Sequence, residues 1–392
     1  MRGARMSELS FSSARSDIEA DQALDLAVRT FRQNRSDPNY LEFKTLLWRE
    51  DPSYRVENLL LAKAPTGRIV GLIRLVPRIL RRADETYAVA GISSVCLDSE
   101  FQGRGLSSSF MRYALDEARD RSYDLCLLMA RRAADHYYTR FGFWGISSYN
   151  RVTFSAQEEG GDEDERISLA ESAPEHVSVY ADAYLTSYRG SFGCFARTPE
   201  YWRFLLKKIA HFQDTKWLTL FVGNRPVGYV IHSDAVIHEV AYLDGVSPVA
   251  LLKALRTVAQ LEANGQTTIL AEIPPQHRLL AEVPGVETWL TFRECNYGGH
   301  MVRILNLQRV ADALAARVHA RLRQLGSTQY VEKCGGIHIT FDGSNCEIHM
   351  PLSDATLSFE QTCWLLGVKT LSLPNTTVDL QLPFNVSLPD QL

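Results

Sequence analysis

The sequence predicts an α+β chain with mixed sheets, built as two related sheet units in tandem followed by a smaller α+β unit. Three observations carry this. Helix and strand signals alternate through residues 1–155. The stretch Leu218-Thr-Leu-Phe-Val-Gly-Asn-Arg-Pro-Val-Gly228-Tyr-Val-Ile repeats, at low fidelity, the earlier Gly67-Arg-Ile-Val-Gly71-Leu-Ile. Residues 301–392 then carry a helix, strands and a second helix of their own.

In the first unit, Asp17–Arg32 and Tyr40–Arg49 have helical apolar spacing, and 56–63 and 68–76 form a hairpin around Pro65-Thr-Gly67. Residues 88–97 are a strand. Beyond it Leu106, Phe110, Ala114 and Ala118 recur every four residues, which sets an apolar stripe on one helix face against the sheet. Leu125–Ala130 is apolar throughout and reads as a buried parallel strand. A short helix carries Tyr138, and 143–154 is expected to close the sheet.

The tract Glu158-Glu-Gly-Gly-Asp-Glu-Asp-Glu165 cannot bury itself, so a solvated linker is placed over 156–170. This divides the chain into 1–155, the linker, 171–300 and 301–392. In the second unit, Ala241-Tyr-Leu-Asp244 echoes Val95-Cys-Leu-Asp98, but the following helix is entered through Ser247-Pro248 with no glycine pair. That copy is expected to keep the fold without a cofactor. In the last unit the helices are Leu307–Gln324 and 358–366, and the strands Ile337–Phe341 and 346–350.

With 392 residues, 45% hydrophobic and 22% charged, the chain has the composition of a soluble globular protein with room for two or three domains. Its 42 Lys+Arg fall below its 46 Asp+Glu, which argues against a nucleic-acid partner. No apolar stretch approaches the ~20 residues of a membrane span. The start Met1-Arg-Gly-Ala-Arg-Met6 lacks the apolar core of a signal peptide, so a cytoplasmic location is expected. The seven cysteines are scattered with no C-x-x-C pair, and the histidines lack ligand spacing, so reduced thiols and no bound metal are expected.

The chemistry-bearing run is Val95-Cys-Leu-Asp-Ser-Glu-Phe-Gln102-Gly103-Arg104-Gly105-Leu106-Ser107-Ser108. A strand breaks into a glycine turn and a helix starts at once, leaving several backbone N–H groups pointing into one small space that suits a pyrophosphate. A Cβ at Gly103 or Gly105 would strain the turn or block approach. Arg104 adds a positive side chain and the helix its dipole.

The loop follows the acyl-coenzyme A pattern Q/R-x-x-G-x-G/A of the GNAT acetyltransferases, with Gln102, Gly105 and Ser107 in the signature places and Ser107 departing from the small Gly/Ala of the last. Together with Tyr138-Thr-Arg-Phe-Gly142-Phe, Tyr188-Arg-Gly-Ser-Phe-Gly, Trp202 and Met301-Val-Arg-Ile-Leu-Asn306, it makes nearly the whole chain resemble the Eis-type (enhanced intracellular survival) family. Members join an active GNAT domain, a degenerate one and a sterol-carrier-like C-terminal domain. The resemblance implies an acetyl-coenzyme A-dependent N-acetyltransferase acting on an amine of a small molecule, aminoglycoside-, polyamine- or amino sugar-like, and assembly as a homo-oligomer, commonly a hexamer. It makes Tyr138 the general acid and the C-terminal carboxylate of Leu392 the base. It also implies that Val95, Cys96, Leu97, Gln102, Gly103, Arg104, Gly105, Leu106, Ser107 and Ser108 hold the cofactor, with an N–H near Val95 or Cys96 polarising the thioester.

Each assignment has a plainer counterpart. Tyr138, among Tyr137, Phe141, Phe143 and Trp144, reads otherwise as a packing aromatic. Cys96 reads as a small core residue, since direct transfer needs no acyl-enzyme. His136 fits an exposed helix edge. Arg78, Arg81 and Arg82 form either a solvated loop or a contact to the adenosine phosphate or a partner subunit. At the level of function, the competitors are acetylation of protein lysines and a non-catalytic module that senses acyl-coenzyme A or binds an apolar ligand.

Overall fold

Strands settle where both their backbone ladders and their apolar faces are satisfied, and in the computed structural model of this chain they form three sheets. The structure describes residues 9–32, 39–131, 134–146, 148–155, 166–212, 214–234, 236–262, 268–274, 276–282, 287–292, 299–350 and 356–368. The first stretch comprises β1 (Ser10–Ser13), α1 (Asp17–Arg32), α2 (Tyr40–Arg49), β2 (Leu59–Lys63), β3 (Ile69–Arg82), β4 (Glu85–Leu97), α3 (Leu106–Asp120), β5 (Leu125–Ala130), α4 (Asp135–Thr139) and β6 (Trp144–Gly145). The middle comprises β7 (Ser148–Ser155), β8 (Ile167–Glu171), α5 (Val177–Tyr188), β9 (Phe192–Phe195), α6 (Pro199–Ala210), β10 (Thr215–Val222), β11 (Arg225–Ser233), β12 (Val236–Tyr242), α7 (Pro248–Glu262), β13 (Thr268–Ile273), α8 (Leu279–Glu282) and β14 (Glu287–Phe292). The last comprises β15 (Gly299–Ile304), α9 (Leu307–Gln324), β16 (Tyr330–Cys334), β17 (Ile337–Phe341), β18 (Cys346–His349) and α10 (Phe359–Leu366).

The first sheet runs β1-β2-β3-β4-β5-β15-β6, with β9 added to the far end of β3. β4 and β5 are parallel. The second runs β14-β7-β13-β12-β11-β10-β8 with β12 and β13 parallel, and the third is the antiparallel β16-β17-β18. The mixed α+β architecture expected from the sequence is therefore present, and the two large sheets share the same hairpin-then-parallel plan. The echo extends to single hydrogen bonds. Asp98 N–H donates to Val70 O at 2.7 Å, and Leu243 N–H donates to Val227 O at 2.8 Å. Next to each acceptor is a glycine, and a Cβ at Gly71 or Gly228 would stand within 2.9 Å of Ala62 Cβ or 2.2 Å of Ala241 O.

The chain nevertheless crosses the boundaries expected at 155 and 300. Residues 143–154 close the first sheet only in part: β6 edges it beside β15, whereas β7 lies in the second sheet between β13 and β14, and β15 takes the place beside β5. Neither β7 (Ser-Tyr-Asn-Arg-Val-Thr-Phe-Ser) nor β15 (Gly-His-Met-Val-Arg-Ile) carries a pattern specific to one sheet, so the local pattern does not decide which ladder each one joins. Of the expected linker 156–170, residues 156–165 lie outside the described ones, and β8 is an edge strand on β10.

Arg78, Arg81 and Arg82 are likewise not a loop, because β3 continues to Arg82. Arg78 donates to Asp51 Oδ2 at 2.7 Å and stacks on Tyr201 at 4.6 Å, while Arg74 reaches the same carboxylate at 3.1 Å. Burial alone would push the Asp51 carboxyl up; the Arg78 and Arg74 guanidiniums outweigh it and hold it below the ordinary carboxylate range. Arg82 donates to the carbonyls of Leu366 and Gly367 at the end of α10. That contact joins the third unit to the first, and one apolar core runs through Tyr87, Val89, Leu125 and Leu127 into Val310, Leu314, Val318 and Trp364.

Candidate active site

β4 is held to β3 along its length, but it pairs with β5 only from Val89↔Leu125 to Ile92↔Leu128. Beyond Ile92 the two parallel strands part, and the β5-facing edge of Ser93 to Leu97 has no ladder partner among the described residues. A bulge marks the parting: Ile73 faces both Ser94 and Val95, and Ser94 has φ 52°. The Ser94 hydroxyl is buried and makes no hydrogen bond among the described residues. Because Asp98 N–H points to β3, the two-residue period turns Cys96 N–H the same way and Val95 and Leu97 N–H toward the open edge.

The loop that follows is braced from within. The Gln102 side chain donates to Leu97 O at 2.7 Å, Gln102 N–H to Ser99 O at 3.3 Å, and Ser108 N–H to Gly105 O at 3.0 Å. Gly103 and Gly105 have φ 73° and 77°, and a Cβ at either would meet nothing within 4 Å. The left-handed backbone, not crowding, calls for glycine here. The helix α3 starts on Gly105 with no side-chain cap and no acidic residue in its first turn. Among the described residues no hydrogen bond engages the N–H groups of Gly103, Arg104, Gly105, Leu106 or Ser107. Five such donors at the positive end of a helix dipole are an arrangement that can cradle an anion, and Arg104 beside them is exposed.

α4 lies against this cradle. Tyr137 donates its hydroxyl to Ser107 O at 2.8 Å and packs edge-on to Tyr138, with ring centroids 5.1 Å apart. Tyr138 is half-buried, also edge-on to Phe143, and its hydroxyl has no hydrogen-bond partner among the described residues. Burial, with Tyr137 adding to it, pushes the Tyr138 phenol up to about 12, so at neutral pH it carries its proton. Cys96 sits on the opposite face, 7% exposed among Leu59, Leu61 and Leu72, and burial pushes its thiol up to about 12. A thiol held that high is a core residue and not a nucleophile. Leu392 lies outside the described residues, and His136 is exposed. Tyr137 and the Ser94 bulge were not singled out from the sequence: tyrosine and serine occur in every environment, and only the contact to Ser107 and the positive φ distinguish these two. Among the described residues no group of His, Cys, Asp or Glu is placed to hold a metal ion, and no helix is long and apolar enough to cross a membrane.

In the second sheet the same parting is filled. β12 pairs with β13 only at Val236 and Ile237. Beyond, His277 Nε2–H donates to Val240 O at 2.9 Å, and Leu279 N–H donates to His277 Nδ1 at 3.2 Å. Arg278 closes the strand end by pairing with Asp244 and Glu282, both at 2.8 Å, over the ring of Tyr242. The helix behind it is capped by Ser247, whose hydroxyl accepts from Ala250 N–H at 3.3 Å, and opens on Pro248, which has no N–H to offer.

Residues 13–147 match the family model described as acetyltransferase (GNAT) domain. The comparison with curated proteins found no match. Among solved structures, a conserved protein from Enterococcus faecalis V583, titled a probable N-acyltransferase, is similar with TM-score 0.62 at 14% identity, over 92% of this chain and 89% of that one. Eis1 from Mycobacterium abscessus is similar with TM-score 0.57 at 15% identity, over 88% and 86%. A GCN5-related N-acetyltransferase from Kribbella flavida is similar with TM-score 0.54 at 16% identity, over 89% and 86%. At these identities the likeness is one of fold.

Proposed function

We propose that the chain, whose residues 13–147 match the acetyltransferase (GNAT) domain model, transfers an acetyl group from acetyl-coenzyme A directly to an amine of a small molecule. The observation that carries this reading is the cradle of five unengaged N–H groups beside an unpaired strand edge, with a protonated phenol next to it. The cradle suits the diphosphate, the edge of β4 suits the pantetheine amides as an added strand, and Val95 N–H suits the thioester oxygen. The amine nitrogen attacks the thioester carbonyl, the C–S bond breaks, and Tyr138 gives its proton to the departing thiolate. An alkylammonium of pKa about 10.4 must first lose a proton. The Leu392 carboxylate is our choice of base, resting on family resemblance.

The Eis-type identity, the sterol-carrier-like character of the last unit, small acceptors over protein lysines, and a homo-oligomer of hexameric type belong to the same reading. Thiol release from acetyl-coenzyme A over a panel of amines tests it. Turnover should fall about 10²–10⁴-fold in Tyr138→Phe with cofactor binding intact, the range of a lost general acid, and should fall also in a chain extended beyond Leu392. Full turnover in Tyr138→Phe removes the phenol from the mechanism, and binding without turnover across the whole panel favours the sensing module.

A further inference from the structure

A second polar concavity lies away from the cradle, at the other end of β4. It has a volume of about 270 Å³ and is formed where the turn between β3 and β4 (Ala83, Asp84) meets α5 and β9. One wall is a single helix face: Tyr184, Leu185, Tyr188 and Arg189 repeat at four-residue spacing, with the two tyrosine rings stacked at 4.9 Å. The opposite wall is the sheet, where Arg81 of β3 stands directly across from Cys194 of β9.

Arg81 is the unusual member. Its two arginine neighbours on β3 each reach a partner through their terminal nitrogens, Arg78 to Asp51 and Arg82 to the end of α10, while leaving their own Nε unbonded among the described residues. Arg81 makes no hydrogen bond or ion pair to any described residue, although its Nε is shut off from solvent. The nearby carboxylate does not serve it: Asp84 is turned outward and pairs with Arg189 at 3.5 Å, both side chains being largely exposed. Two guanidiniums against one carboxylate leave the site one positive charge in excess. A planar guanidinium with its donors unclaimed matches a carboxylate, which accepts two parallel N–H bonds at once. The rest of the lining, two tyrosine rings and Leu185, is apolar in body, and the volume falls just below the ~300–1,000 Å³ of drug-sized ligand sites.

We propose that this cavity is a binding site for a compact carboxylate with an aromatic or branched apolar body, held by Arg81 and covered by Tyr184, Leu185 and Tyr188. The assignment goes beyond the acetyl-transfer reading and does not depend on it. A ligand there would join β3 of the first sheet to α5 and β9, one residue from the Arg82 contact that fastens α10.

Calorimetric titration of the full chain with benzoate tests it, with benzyl alcohol and inorganic phosphate as the uncharged and the non-aromatic probes. Benzoate should bind saturably at one site per chain, and each control probe should bind at least ten-fold more weakly. Arg81→Gln should weaken benzoate at least ten-fold. Leu185→Glu should do the same from a position 44% exposed, where the fold loses little if Arg81→Gln does not fold. Equal benzoate affinity in both variants, phosphate binding as tight as benzoate, or no saturation by benzoate would each overturn the assignment.

Discussion

Tyr138 illustrates how a residue's surroundings suit it to the role proposed for it. The phenol needs its proton to act as an acid, and burial keeps it there, raising its pKa from 10.0 to about 12. In an amine acetylation, kcat/KM should therefore rise as base and amine lose their protons, with no descending limb from Tyr138 until about pH 11, since the limb reports the acid's pKa in the free enzyme. A pH–rate profile between 7 and 10.5 checks this, and a fall setting in near pH 9 would mean an unperturbed phenol or another acid. On β4, the same burial argument speaks against a nucleophilic thiol. Cys96, near the end of β4, is held protonated by its apolar neighbours and belongs to the core.

The strand-loop-helix junction was legible in the sequence because its constraints are local. Gly103 and Gly105 adopt positive φ, which only glycine takes without cost, and the stripe Phe110, Ala114 and Ala118 buries one face of α3 wherever the chain places it. The end of β3 was not legible. Three arginines in five residues read as a solvated turn, and what makes them strand is Asp51 in the preceding loop, Tyr201 on α6 and the carbonyls ending α10. The filled parting in the second sheet has the same character, since His277 lies 37 residues beyond the carbonyl it caps. Burial lowers the His277 pKa from 6.5 to about 4. The unfolded chain thus takes up this proton near pH 6.5 and the folded one only near pH 4, so the stabilisation is complete above 6.5 and drains away as pH falls to 4. Thermal melts across that window should show Tm dropping with pH, and the drop should be shallower in His277→Gln. An identical slope in the variant would place the linkage elsewhere.

Across the whole molecule, the crossing of β7 and β15 makes the two large sheets depend on each other. Residues 1–155 alone would leave β5 without β15 and strand β7 away from β13 and β14. Expressed as a fragment, 1–155 should lack a cooperative melt and should not bind acetyl-coenzyme A, whereas a fragment with native-like circular dichroism and a sharp transition would show that the exchange is dispensable. The third unit is tied in the same way, through Arg82 and the core that Trp364 shares with Leu80 and Val89. Closing such long-range pairings costs chain entropy that grows only slowly with loop length, so distant strands can pair and nothing in the local pattern announces them. The proposed site rests on five amides with no hydrogen-bond partner among the described residues. Hydrogen exchange at Gly103, Arg104, Gly105, Leu106 and Ser107, read with and without saturating acetyl-coenzyme A, tests them directly. Their exchange should slow about ten-fold or more as they become bonded, and unchanged exchange at all five positions would contradict the assignment of the site.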